Sequence, residues 1–242
     1  MSNDAKTEKI KINKYFESIL IMASPAVIIA LFIACLAFFV HKGGMNLFEL
    51  TSAIYDKYYQ VILTAYIIVL PFFFPFALKL FRTNGISLFQ CFTSKTNFIR
   101  DVIFGILAGI ISYIFIFLDV HVLLKMPVEK TENVFLIIFE IISLVIVSGF
   151  FKEIYFRGIP YLLMKSKFGE WKSFLIGNIC YTILDWPNLG ISFFLGSIWY
   201  LFYRKRGSLI IPIIGHGLCN LLGILARSGA LSFIGIIPVH NI

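Results

Sequence analysis

The feature that most constrains this chain is a succession of apolar runs separated by short polar connectors. A helix needs about 20 consecutive apolar residues to cross a hydrocarbon core roughly 30 Å thick. Residues 19–40, 61–80, 102–118, 134–163, 174–186, 189–203 and 208–226 read as such runs, and 231–239 as a short eighth. Lipid offers the backbone no hydrogen bonds, so only helices or closed barrels can span it. Continuous apolar runs of this length select helices, because barrel strands alternate. The expected fold is all-α, a polytopic transmembrane helical bundle of about eight spans. Composition agrees, with 59% hydrophobic residues among 242 and a mean hydropathy of +0.89, against about 45–50% apolar content in soluble domains.

Residues 1–18 are polar and carry Lys6, Lys9, Lys11 and Lys14. The run that follows is longer than a signal-peptide core, so a retained signal-anchor helix is expected. The second run contains Pro71 and Pro75, which should kink it. Asp119 and His121 mark the outer end of the third. With no linker or repeat, residues 1–18 are read as a cytoplasmic tail and 19–242 as one transmembrane domain. Its motif-bearing core is 134–225.

The formal charge of +8 does not point to nucleic acid, because the basic residues are dispersed among short loops. Lys and Arg alternate between rich and poor connectors, as the positive-inside rule requires. The rule places the N-terminus and the connectors at 79–100, 165–172 and 204–206 in the cytoplasm. The Phe- and Lys-rich, Ala-poor composition suggests an AT-rich bacterial genome. The expected location is the bacterial cytoplasmic membrane, with both termini cytoplasmic. Cys35, Cys91, Cys180 and Cys219 show no C-x-x-C spacing and read as small packing residues.

Three charges, Lys152, Glu153 and Arg157, interrupt the fourth run. Glu153 and Arg157 are four apart and share a helix face. A charge at membrane depth costs about 2.5–3.5 kcal/mol on insertion scales, so such a cluster faces a protein interior and often a function. The plain alternative is an interfacial anchor whose Lys and Arg snorkel outward. At roughly 1.5 Å per residue, Glu153 lies about 15 Å inside its span, Asp185 about 16 Å along the fifth and His216 about 12 Å along the seventh. Singly, His216 reads as a packing residue and Asp185 as a turn cap before Trp186-Pro187. Their common level points to one site.

Lys152-Glu153-x-x-x-Arg157-Gly158, Tyr181-x-x-x-Asp185 and His216-x-x-x-Asn220 resemble the three motifs of the CAAX protease and bacteriocin-processing (CPBP, or Abi) family of intramembrane proteases. In that family the motifs are Glu-Glu-x-x-x-Arg, Phe-x-x-x-His and His-x-x-x-Asn or a variant. They lie in this order on successive core helices, here the fourth, fifth and seventh. The resemblance implies an intramembrane endopeptidase of the CAAX prenyl protease 2 type. It assigns the first Glu and the motif-two His to the attacking water, and the motif-three His and Asn to the intermediate. Peptide hydrolysis needs those two kinds of group, a base for water and donors for the oxyanion.

Glu153, Arg157, His216 and Asn220 match the family motifs, whereas Lys152 and Asp185 stand where the family has its first Glu and its motif-two His. A lysine is a base only if its pKa of about 10.4 is lowered, and a neighbouring carboxylate opposes that. The two departures suggest that Lys152 and Asp185 form an ion pair across the former site. No cofactor is expected: His216 alone cannot supply a zinc site, although a divalent metal is left open. Expected partners are the bilayer and a membrane-embedded or membrane-associated peptide or protein. The functional reading is a homologue with impaired or lost hydrolysis. Its alternatives are a non-catalytic binding protein in bacteriocin self-immunity or in regulation of a membrane enzyme, and a transporter.

Overall fold

The computed structural model describes residues 3–92, 97–119, 131 and 133–229, and among these it is helical without strands. α1 is Asn3–Val40, α2 Leu47–Thr83, α3 Leu88–Phe92 and α4 Phe98–Phe117. α5 runs without a break over Val134–Phe168. α6 is Glu170–Leu184, α7 Leu189–Arg206 and α8 Ile210–Arg227. Because α3 is a short connector, the fourth, fifth and seventh runs of the sequence correspond to α5, α6 and α8. The 231–239 run, His121 and the loop lysines Lys95, Lys125 and Lys130 lie outside the described residues.

The helix boundaries follow local chemistry. Asn46 and Glu49 form a reciprocal capping box at the start of α2. Asn97 and Asn133 accept from the first free amides of α4 and α5. α7 stops after Arg204, Lys205 and Arg206 at Gly207, whose φ of 69° is the left-handed conformation common at helix ends. The polar segment 3–18 is helical and continuous with the apolar part of α1.

Among the described residues five helical stretches are long and apolar enough to cross a membrane: Lys14–Val40, Lys57–Thr83, Phe98–Phe117, Val134–Phe168 and Ile210–Arg227. α6, with 15 residues, falls short of that length. α7 dilutes its apolar run with three terminal cations. The two are joined by one short turn, Trp186–Asn188. Large apolar side chains such as Phe38, Phe72 and Phe135 point outward, as a surface facing lipid tails requires.

α4 and α8 approach closely. A Cβ on Gly109 would lie 2.9 Å from the Gly215 carbonyl oxygen, so only glycine permits this separation. Small residues serve the same purpose in membrane helix pairs generally. Arg206 at the end of α7 bonds Asp101 on α4 at 2.8 Å, and the connector to α8 is fastened to α3 by Leu209 N–H to Cys91 O at 2.9 Å. Burial pushes the Cys91 thiol up to about 11, consistent with packing and not reactivity. Cys35 is exposed on the outer surface of α1. α2, α6 and α8 pack directly on α5, and α7 packs against α4, α6 and α8.

Candidate functional site

Much of α5 is π-helical, over Ile141–Ser148, Ile154–Gly158 and Pro160–Met164. A π turn widens the helix and re-aims its side chains, and such turns are frequent at functional sites. Glu153 sits at the junction into the second of these segments, fully buried. Arg157 lies next to it, with Nε 3.3 Å from Glu153 Oε2 and Nη1 3.4 Å from Oε1. From α8, His216 Nδ1 is 2.7 Å from Glu153 Oε1. The structure thus brings Glu153, Arg157 and His216 into one buried network.

Asn178 and Trp199, which the sequence reading passes over, complete this network together with Tyr181. Asn178 on α6 accepts from Arg157 Nη2 at 3.4 Å and donates to Phe193 O at 2.9 Å and Ser197 Oγ at 3.2 Å on α7. Trp199 stacks on His216 at 4.3 Å between centroids and 16° between planes, with its indole N–H donated to Ser112 on α4. The Tyr181 ring lies 4.3 Å from the Arg157 guanidinium carbon. An isolated amide such as Asn178 in an apolar run was a readable signal. Trp199 carried none, because an aromatic in a span is ordinary packing.

The remaining motif residues line a cavity of about 870 Å³ between α2, α5, α6, α7 and α8. Lys152 is buried, with its ammonium over Tyr66 at 4.3 Å and Tyr181 at 5.6 Å. Asp185 accepts from Ser192 Oγ at 2.6 Å and Asn188 Nδ2 at 3.3 Å. Among the described residues no ion pair joins Lys152 to Asp185, contrary to the expectation from sequence. The physical reason is local supply: the turn after α6 satisfies Asp185, and two tyrosine faces attract the ammonium. With no direct ion pair but both side chains on one cavity wall, Asp185→Asn and Lys152→Gln should couple only modestly, by about 0.5–1 kcal/mol, in a thermal-unfolding double-mutant cycle. A coupling of several times that value would restore the direct pair.

Asn220 lines the same cavity and is anchored by one of its amide hydrogens. Its amide donates to the backbone oxygen of Leu144 at 2.9 Å, tying α8 to α5. Nearer the mouth, Arg227 Nη2 is 3.0 Å from the buried Glu140 Oε2 and 3.3 Å from Tyr59 Oη. Tyr155 donates to Leu70 O at 2.6 Å and serves packing between α5 and α2. Among the described residues no group of three His, Cys, Asp or Glu side chains converges as metal ligands.

Residues 133–222 match the model of the Rce1-like family, described as type II CAAX prenyl endopeptidase Rce1-like. Over these residues the chain is similar to that family. No curated protein and no solved structure gives a match. The matched segment begins at the cap of α5 and ends within α8, so it holds every motif residue singled out from the sequence. α1 to α4 lie outside it, yet they supply Tyr66, a wall of the cavity, and Ser112, the partner of Trp199.

Proposed function

We propose that this protein is a CAAX-protease-like membrane protein whose hydrolytic site is impaired and whose retained role is to bind a membrane-associated peptide. One observation carries the reading. The two positions that present water-activating groups in the family present an ammonium and a locally satisfied carboxylate to this cavity. The other acid is engaged as well, because Glu153 is held by Arg157 and His216. Asn220 is engaged with the backbone. What remains is a membrane-depth cavity with tyrosine walls, of a size within the roughly 300–1,000 Å³ typical of ligand pockets. The positive-inside count supports a cytoplasmic N-terminus and a cavity mouth on the outer side, near Lys57, Asn188 and Arg227. This topology favours an externally presented peptide, as in self-immunity.

A second reading rests on the 2.7 Å contact between His216 Nδ1 and Glu153. A carboxylate that orients an imidazole in this way is also how bases are positioned in hydrolases. The assay that separates the readings offers the purified native protein a prenylated peptide and a leader-peptide library, with fragments read by mass spectrometry. The expected result is no fragment that disappears in both Glu153→Gln and His216→Ala. Any fragment lost in both variants would establish an active peptidase and overturn the binding reading.

A further inference from the structure

α6 and α7 form a hairpin, joined at one end by the turn Trp186–Asn188 and packed side by side. Along α6, Trp171, Leu175, Ile179 and Ile183 recur every four residues and all are exposed, from 55% at Trp171 to 40% at Ile183. A spacing of four keeps side chains on one helix face, so they form one outward apolar column. Phe193, Phe194 and Leu201 of α7 add to the exposed apolar surface of the hairpin.

The column ends at a charged cluster. Arg204, near the end of α7, has its guanidinium carbon 5.1 Å from the centre of the Trp171 ring and pairs through Nε with Glu170. Lys165, near the end of α5, lies over the Tyr161 ring and stands 3.1 Å from the other oxygen of Glu170. One carboxylate thus gathers two cations, and the group keeps a net positive charge. Lys172 and Lys205, both exposed, add to it. The paired cations stay accessible, with 37% of the Lys165 side chain and 43% of the Arg204 side chain exposed. Among the described residues no acceptor engages the two Nη groups of Arg204, so its forked edge is open. Other cations at this end are turned elsewhere: Arg206 pairs with the buried Asp101, and Lys167 lies over the rings of Tyr15 and Phe168.

A guanidinium fork suits a phosphate because two N–H groups match two of its oxygens. Tryptophan at the end of an apolar column belongs at headgroup level, with its ring half in hydrocarbon. An anion receptor placed where a hydrocarbon surface stops has the layout of a phospholipid. A soluble phosphate would leave the column unused. A zwitterionic headgroup would bring its own cation against Lys165 and Arg204, so the net charge selects an anionic one.

We propose that α6, α7 and the end of α5 bind an anionic phospholipid, with its phosphate on Arg204 and Lys165 beside Trp171 and an acyl chain along Leu175, Ile179 and Ile183. The site is separate from the central cavity and independent of what fills it. It has a mechanical consequence for the buried network. α6 carries Asn178 and Tyr181 there and α7 carries Trp199, so a lipid that joins the ends of α5, α6 and α7 steadies all three residues.

The test presents the full chain, purified in a mild detergent, with phosphatidylglycerol and phosphatidylcholine of equal chain length. Retained lipid is measured by native mass spectrometry, and unfolding is followed on heating. Each cation near a membrane surface contributes about fivefold in affinity for anionic lipid, so phosphatidylglycerol should be favoured about 5- to 25-fold. Arg204→Met and Lys165→Met should each lower that preference about fivefold, Arg204→Lys should fall between native and Arg204→Met, and Lys167→Met should leave it unchanged. Because these side chains are partly exposed, the lipid-free melting temperatures should stay close to native. Phosphatidylglycerol should raise the melting temperature of the native protein and not that of Arg204→Met, and millimolar glycerol 3-phosphate should not displace the lipid. Equal retention of the two lipids overturns the proposal. A loss in Lys167→Met as large as in Arg204→Met overturns it as well, since the attraction is then diffuse, and displacement by glycerol 3-phosphate removes the acyl column from the site.

Discussion

Arg157→Met should destabilise the protein by about 3–5 kcal/mol, the usual consequence of leaving one member of a buried ion pair without its partner. Both side chains are buried, Arg157 at 2% exposure and Glu153 at 0%. Water cannot replace the lost guanidinium, and His216 alone would have to neutralise Glu153 at 2.7 Å. Arg157 also joins helices, since it spans from Glu153 on α5 to Asn178 on α6. Thermal unfolding in a mild detergent measures the loss. Adding Glu153→Gln to Arg157→Met should recover a large part of it, because the orphaned charge is then removed. A shift no larger than that of an exposed control such as Arg82→Met would mean that the pair is not a structural element of the core.

Gly196→Ala is expected to be nearly as damaging although it adds one methyl group. A Cβ at this position would overlap Asn178 Oδ1 and Arg157 Nη2, so the network must move apart to admit it. Overpacking a closed core costs typically about 1–3 kcal/mol, and the lost polar contacts add to that. Gly190 on the same helix supplies the control: nothing lies within 4 Å of its Cβ position. Gly190→Ala should be neutral or stabilising by up to about 1 kcal/mol through helix propensity alone. Opposite signs for the two substitutions would place the effect in the Arg157–Asn178 contact. Equal effects would remove that contact from the account.

The sequence made the helices legible because apolar length is a direct consequence of bilayer thickness, and it made the Glu153–Arg157 pair legible because helix periodicity is fixed. It placed His216 near Glu153 only through depth and resemblance. It could not show that Asn220 turns to the Leu144 carbonyl, since that depends on a π turn with no composition of its own. It also misjudged Lys152 and Asp185. Opposite charges at one level suggest a pair, but Asn188 and Ser192 in the turn just after α6 hold Asp185, and the ring of Tyr66, distant in sequence, faces Lys152. Asn178 and Gly196 matter for the same reason, through contacts between helices that no local pattern announces.

The proposed function holds that hydrolysis is impaired chiefly through Lys152 and Asp185. The most direct test compares the native protein with Lys152→Glu/Asp185→His, both reconstituted, folded and offered the same prenylated and leader peptides, with products identified by mass spectrometry. The account predicts fragments from the double variant only, and their loss when His216→Ala is added. Cleavage by the native protein at a rate equal to or above that of the double variant would contradict it, and would show that Lys152 and Asp185 belong to a working peptidase.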